Sequence, residues 1–483
     1  MPTHLLFLFL FFIPISSLAS QWEDLHELLP NGAQLSYLII DPEKKQVESE
    51  WQARVLRTPA SMQKLLTATA AKLYLGEQFR YQTSIEGARA KIKNGRYQGS
   101  LTLRFVGDPT LLRSDISRML RELKKQGIRE IAGDFFINQS QFDGYQWSNG
   151  QAWNDLGVCY TSPTSAIIVN KNCVLGNLSL TTKIGHKAKL FIPNYEPITI
   201  SSDVDVVSEA QRKETFCDLN ITRKSGNSYH LWGCLQSRNS PLPLSLSVND
   251  PFDYARKIIQ SELQKVGIKL MGDIHLDDAK NPIDTTELLV VHHSPLLNEL
   301  LKEMMKESDN LIADSLFKTL GANYFNRAGN FSNGAAAVKA ILLAENIDLK
   351  NGYIADGSGL SRHNLMSAEL FMSLLSYIYH NEQRLHLLPT LSIAGVDGTL
   401  KYNRAVNGKL LREKVIAKTG SMKGVTNILG VIQTAQGDKL FVVIINGYSE
   451  PEASQDDPKQ SHREPANLIF LKAFLERLLQ GNL

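Results

Sequence analysis

Beyond its first twenty residues, the chain has no apolar run near the roughly 18 residues that a membrane-spanning helix needs. Neither sign of charge dominates: 52 Lys+Arg face 49 Asp+Glu, a net charge of +3 over 483 residues. That balance leaves no basic footprint for nucleic acid. Cysteine is scarce, at four residues, and there is no internal repeat or low-complexity linker. With 43% hydrophobic and 21% charged residues, the composition excludes intrinsic disorder, a collagen-like fibre and a disulfide mini-scaffold. The length suggests two to four domains with ample material for cores.

The first residues differ from the rest. Leu5 to Ile15 is almost unbroken in its apolarity and is followed by Ser16-Ser17-Leu18-Ala19-Ser20. This pattern predicts a signal peptide over residues 1–19, cleaved after Ala19, and therefore an exported protein without a stable membrane span. Such a compartment permits disulfides, and the four cysteines, Cys159, Cys173, Cys217 and Cys234, allow three connectivities. Pairing of neighbours (Cys159 with Cys173, Cys217 with Cys234) is the local choice among them. Their spacing matches no zinc pattern, and the adjacent His292-His293 gives no metal-ligand set. No metal or cofactor is expected.

Periodicity divides the chain. Gln34–Ile40 and Val47–Trp51 read as strands joined by the turn Asp41-Pro42-Glu43-Lys44. Ala60–Leu75 reads as a helix, with Pro59 at its start and Gly76 at its end. From about Tyr81 to Ser247 short alternating segments predict mainly β structure. Helices are predicted over Asp253–Gly267, Leu296–Leu320, Ala335–Glu345, Ser367–His380 and Pro465–Leu479. Val425–Gln433 and Leu440–Asn446 read as adjacent strands. A helix-and-sheet domain is thus interrupted by a long, β-rich, cysteine-bearing insertion.

Three short motifs carry the chemistry: Ser61-Met62-Gln63-Lys64, Ser308-Asp309-Asn310 and Lys418-Thr419-Gly420. Each is weak alone, and Ser315–Lys318 repeats the first. Their order and setting are more informative. Ser61 opens a predicted helix, beside unpaired backbone N–H groups that can help hold an oxyanion. Lys64, at i+3, shares its face and can act as base if burial or nearby cations keep it neutral. Lys418 is such a cation, and a receptor for a substrate carboxylate. Ser308 can relay a proton, and the amide of Asn310 can hold a peptide group. Were Lys418–Gly420 on an edge strand, an extended peptide could pair beside it, with the Ser421 N–H completing the oxyanion pair.

The three motifs in this order resemble the serine penicillin-recognising enzymes. Thr58-Pro59-Ala60-Ser61-Met62-Gln63-Lys64 is similar, more narrowly, to class C low-molecular-mass penicillin-binding proteins, the DacB-type D-alanyl-D-alanine carboxypeptidase/endopeptidase family. Val106-Gly107-Asp108-Pro109-Thr110-Leu111, Trp153-Asn154-Asp155, Asp356-Gly357-Ser358-Gly359-Leu360-Ser361 and Gly395-Val396-Asp397-Gly398-Thr399-Leu400 agree with it. The resemblance implies an α/β (α+β) β-lactamase/transpeptidase-like domain, residues 20–83 and 288–483, with a nested, mainly β insertion of two domains. The first of these is residues 84–164 and 248–287, and within it lies the second, 165–247. It also implies a serine acyl-enzyme mechanism on peptidoglycan stem peptides, with β-lactam antibiotics as covalent inhibitors. Carried over by motif position, Ser61 is the nucleophile, Lys64 the base, and Ser308 and Asn310 the second motif. Lys418, Thr419 and Gly420 bind substrate, while Asp155 and Met422 meet a diaminopimelate side chain. The localisation implied is periplasmic, and a homodimer is left open.

Two other readings compete: a catalytically silent wall-binding protein that kept the fold, and a serine β-lactamase. The intact motifs oppose the first, and the large insertion opposes the second.

Overall fold

The computed structural model describes residues 24–30, 32–179, 183–277, 287–449 and 465–482. The signal peptide expected over residues 1–19 lies outside them. Among the described residues no helix is long and apolar enough to cross a membrane.

Six antiparallel strands form the central sheet, in the order Ser392–Ile393, Val415–Met422, Val425–Thr434, Gly437–Asn446, Gln34–Asp41 and Gln46–Trp51. Side chains alternate across a strand, and here both faces are buried. Leu440, Val442 and Ile444 pack with the helices Lys64–Tyr74, Leu297–Lys306, Asn310–Phe325, Phe331–Ala344 and Ala368–His380. Phe441, Val443 and Ile445 pack against the helix Ala466–Gln480. This two-sided burial explains why the late strands read as unbroken Val/Ile runs. Near the start of the sheet, the predicted turn forms, with the Lys44 N–H donating to Asp41 Oδ1 at 3.0 Å.

A second core surrounds a five-stranded sheet ordered Ile274–Asp277, Phe135–Asn138, Leu101–Arg104, Gln82–Gly87 and Glu287–His293. The chain enters and leaves this sheet on its last two strands, which pair antiparallel. Here the expectation of mainly β structure needs correction, because the helix Arg113–Lys125 packs beside Pro251–Val266 in this core. Ile116, Met119, Leu120 and Leu123 give it an i, i+3, i+4, i+7 apolar stripe, set among charged residues that masked it. The same core takes in Ile167, Val169 and Val174. A smaller core, including Leu178, Val204, Val206 and Leu231, lies between a three-stranded and a four-stranded sheet formed by residues 173–247. Disulfides join Cys159 to Cys173 and Cys217 to Cys234.

The predicted helix Leu296–Leu320 is two helices, Leu297–Lys306 and Asn310–Phe325. Ser308, at φ 58°, reverses the backbone between them, and the Asp309 carboxylate caps the second by accepting from the Ile312 N–H at 2.9 Å. The break falls on the second motif.

Burial makes a direct prediction. Phe441→Ala in the central sheet should lower unfolding free energy by about 3–5 kcal/mol, read from the urea midpoint. Phe216→Ala, at a side chain 93% exposed, should change it by less than about 0.5 kcal/mol.

Candidate active site

Three remote segments meet at one buried amine. Ser61 lies in the short turn Ala60–Gln63 that runs into the helix Lys64–Tyr74. Ala60 holds a left-handed φ of 48° to make that entry. Lys64 Nζ is fully buried and has three oxygen neighbours: Ser61 Oγ at 2.9 Å, Asn310 Oδ1 at 2.6 Å and the Ser358 carbonyl at 2.7 Å. Asn310 is oriented by its other end, since its Nδ2 donates to the Tyr160 carbonyl at 2.9 Å. The Ser358 carbonyl is placed by a buried loop. Asp314 accepts from the N–H groups of Gly357 and Ser358, and Asp356 accepts from those of Gly359 and Ser361. Burial pulls the Lys64 amine down from its ordinary value to about 8, with the carboxylates of Asp314, Asp356 and Asp309 acting in the opposite direction. Asp314 is itself pushed up by burial and by Asp356, which favours its uncharged form and weakens the pull on the lysine.

The third motif lies within the strand Val415–Met422 rather than ahead of the strands. Lys418 is fully buried, and its Nζ donates to Ser308 Oγ at 2.9 Å and to the Thr419 carbonyl at 3.1 Å. Burial and the nearby Lys64 charge hold its amine well below the ordinary lysine range. On one side this strand pairs along its whole length with Val425–Thr434. On the other, Ser392 and Ile393 pair with Ala417 and Ile416, and among the described strands none pairs beyond them. The edge from Lys418 to Met422 is therefore open. Gly420 permits the strand to lie against the nucleophile turn, because a Cβ there would come within 2.5 Å of the Pro59 carbonyl oxygen. Thr419 Oγ1 donates to Thr399 Oγ1 at 3.0 Å.

A cleft of about 430 Å³ opens above these groups. Ser61, Ser308, Asn310, Ser421, Met422 and Asp155 all line it, so the structure gathers the predicted residues from both the sheet domain and the insertion. Asp155, on the turn Trp153–Asp155, hydrogen-bonds with the Tyr160 hydroxyl. The glycine-rich loop 356–361 lines the cleft through Gly359 and Leu360, and Arg362 follows it. Ser315 and Lys318, the repeated motif, are buried elsewhere. Lys318 Nζ donates to the carbonyls of Tyr145 and Thr164 at 2.8 and 2.7 Å, tying the insertion to the helix Asn310–Phe325. His292 lies 3.7 Å from Asp108 Oδ2, well away from the motifs in sequence.

A model of the D-Ala-D-Ala carboxypeptidase 3 (S13) family matches residues 16–467. The chain belongs to this family. It is 40% identical over 427 residues to D-alanyl-D-alanine carboxypeptidase DacB of Haemophilus influenzae, covering 88% of each chain. The crystal structure of penicillin-binding protein 4 (dacB) from that organism superposes with a TM-score of 0.88 at 38% identity, over 95% of this chain and 99% of the other. A second structure of that protein, in complex with a β-lactam, gives 0.84 at 36% identity, over 95% of this chain and 99% of the other. This S13 peptidase thus has the β-lactamase/transpeptidase-like α/β fold.

Two asparagines of the S13 chain escaped the sequence reading. Asn427 Nδ2 donates to the carbonyls of Thr58 and Pro59 at 2.9 and 3.0 Å, and its Oδ1 accepts from the Ile445 N–H at 3.1 Å. Asn446 Oδ1 accepts from the Thr58 N–H at 2.8 Å. Together they fasten the residues before Ser61 to the sheet. The available signal was a lone amide within the apolar run Val425–Val431. Asn427→Ala should slow acylation of Ser61 by an activated-ester probe about 10- to 100-fold, followed by mass spectrometry. Circular dichroism should stay that of the folded parent.

Proposed function

We propose that this S13 peptidase is a periplasmic serine D,D-peptidase of peptidoglycan. It cleaves the terminal D-Ala-D-Ala of stem peptides, D-Ala-diaminopimelate cross-links, or both, through an acyl-enzyme on Ser61. The observation that supports this reading best is the environment of Lys64. A neutral amine has two N–H groups and one lone pair. Asn310 Oδ1 and the Ser358 carbonyl take the two N–H groups, which turns the lone pair toward Ser61 Oγ, 2.9 Å away. Lys64 then removes the hydroxyl proton as Oγ attacks the carbonyl of the penultimate D-Ala. The substrate backbone pairs along the open edge from Lys418 to Met422, and the N–H groups of Ser61 and Ser421 hold the oxyanion. As the tetrahedral intermediate collapses and its C–N bond breaks, the proton held by Lys64 passes through Ser308, which Lys418 hydrogen-bonds, to the departing amine, leaving Lys64 neutral for the attack of water. Water completes the cycle by hydrolysing the ester.

Lys418, Thr419 and Gly420 bind the substrate carboxylate and backbone, and Asp155 and Met422 contact the side chain of the third stem residue. A β-lactam acylates Ser61 in place of the peptide, as the complex of the Haemophilus relative suggests. Separate hydrophobic cores support a division into a transpeptidase-like domain and two nested domains.

Intact-mass spectrometry of the mature protein with penicillin should show one adduct, mapping to Ser61 and absent in Ser61→Ala. An adduct on Ser315 or Ser358 would reassign the nucleophile, and no adduct on folded protein would favour the silent wall-binding reading. The acylation rate should also rise with pH through about 8, because Lys64 must be neutral to accept the proton and is charged below that value. A rate that falls across the same window would remove Lys64 as the base.

A further inference from the structure

A separate cavity, of about 540 Å³, is lined by residues outside all three motifs. Its walls include Tyr145, Trp147 and Tyr353, with Asn149, Ser332 and Lys339 among the polar groups. Two of the rings stand out in water: Tyr145 is 78% exposed and Tyr353 57%. A single exposed ring is ordinary on a folded surface, but here Tyr145, Trp147 and Tyr353 line one cavity. The hydroxyls of Tyr145 and Tyr353, the Asn149 amide and the Ser332 hydroxyl belong to exposed residues and are open to solvent.

The platform beneath them is nonetheless fixed. The Tyr145 carbonyl accepts from Lys318 Nζ at 2.8 Å, and Trp147 Nε1 donates to the Thr161 carbonyl, also at 2.8 Å. The backbone of Tyr353 exchanges two hydrogen bonds with Leu365, each 2.9 Å. Rigid aromatic faces beside solvent-exposed amide and hydroxyl groups suit a ligand with one apolar face and a hydroxylated edge. A sugar ring has that form: C–H groups on its face, hydroxyls and an acetamido group around its rim.

The cavity is joined to the cleft by two short stretches of chain. Asn149 lines the cavity and Gln151 the cleft; Ala355 lines the cavity and Gly359 the cleft. Two and four residues span at most about 7 and 14 Å. Both stretches are pinned together, since the Arg362 N–H donates to the Gly150 carbonyl at 2.9 Å and Ser148 Oγ to Asp356 Oδ2 at 2.7 Å. In a stem peptide the bond attacked follows the fourth residue, so the sugar that carries the stem lies about 14 Å or slightly more away when the peptide is extended. The wall of the cavity thus begins within about 7 Å of the wall of the cleft, near enough for one extended stem to reach both.

We propose that this cavity is a glycan subsite, in which Tyr145, Trp147 and Tyr353 hold an N-acetylhexosamine unit of the strand carrying the stem. The proposal rests on the D,D-peptidase reading of the cleft. Binding energy from this remote part of the substrate would raise kcat/KM for glycan-linked stems over the same peptide without sugar.

The test compares two substrates in the mature protein: N-acetylglucosaminyl-N-acetylmuramyl pentapeptide and the free pentapeptide. The parent should favour the disaccharide-linked form by about tenfold in kcat/KM. The double variant Tyr145→Ala, Tyr353→Ala should lose that preference and keep both its rate on free pentapeptide and its penicillin acylation rate. Equal rates for the two substrates in the parent would overturn the subsite, as would a preference that survives the double variant. In either case penicillin labelling of Ser61 and turnover of the free pentapeptide leave the D,D-peptidase reading standing. Absence of both would defeat that reading instead. A direct measurement separates binding from turnover: the peptide-free disaccharide should perturb the tryptophan fluorescence of Ser61→Ala and leave that of a variant combining Ser61→Ala, Tyr145→Ala and Tyr353→Ala unchanged. No perturbation in Ser61→Ala at millimolar sugar would count against the subsite.

Discussion

A lysine amine sealed from water must find its hydrogen-bond partners within the protein, and that demand at Lys64 organises this molecule. Its three oxygen neighbours belong to three segments: the nucleophile turn, the start of the helix Asn310–Phe325, and the loop at Ser358. Losing Asn310 Oδ1 or the Ser358 carbonyl would leave a buried N–H unmet, at a cost of about 1–3 kcal/mol. The amine therefore fixes the mutual placement of residues almost 300 apart in the chain. Asp314 and Asp356 extend the constraint by holding the loop that supplies the Ser358 carbonyl. Asp356 also accepts from Ser148 of the insertion. One buried amine thus couples the sheet domain, the helical layer and the inserted segment.

The insertion is accordingly more than an ornament on the sheet domain. The Tyr160 carbonyl sets which end of Asn310 faces Lys64. Lys171 pairs with Glu303 and Asp309, the acids that flank the helix break carrying Ser308. Lys318 holds the backbone of Tyr145 and Thr164 from the other side. Residues 145–172 therefore form one wall of the cleft and also stiffen the second motif. A site that must position its groups to fractions of an ångström needs such support, and here it comes from chain that a bare sheet domain would lack.

The parts legible from sequence were those with a local cause. The strand Gln34–Asp41, its turn and the helix after Ser61 follow from side-chain period and from Gly76, which takes φ 78° at the helix end. The three motifs could be found because nucleophile and base must sit one turn apart, whatever the fold. What stayed hidden depended on distant partners. The apolar stripe of Arg113–Lys125 is interleaved with seven charged residues and declares itself only against Pro251–Val266. The break at Ser308 was masked because both flanking helices are apolar enough to read as one. Asn427 is a lone amide in the buried stretch of its strand, and its role exists only because Thr58 and Pro59 arrive opposite it.

The energetics of the two buried amines also bear on the rival readings. Lys64 and Lys418 are both fully enclosed, and neither forms an ion pair within 4 Å among the described residues. Burying such groups costs several kcal per mole each, and well-packed apolar side chains of similar volume would often make a more stable core. A scaffold kept only to bind the wall would gain nothing from that cost. A nucleophile that needs an uncharged amine beside it gains a base matched to its task. For a β-lactamase the demand moves to the second half-reaction, where a water must be activated against the ester. The carboxylate that lines the cleft among the described residues is Asp155, and it is engaged with Tyr160. Among the described residues the cleft thus has no second carboxylate to activate that water, only the amines of Lys64 and Lys418 behind Ser61 and Ser308, which suits slow hydrolysis of a bulky acyl group better than rapid turnover of an antibiotic.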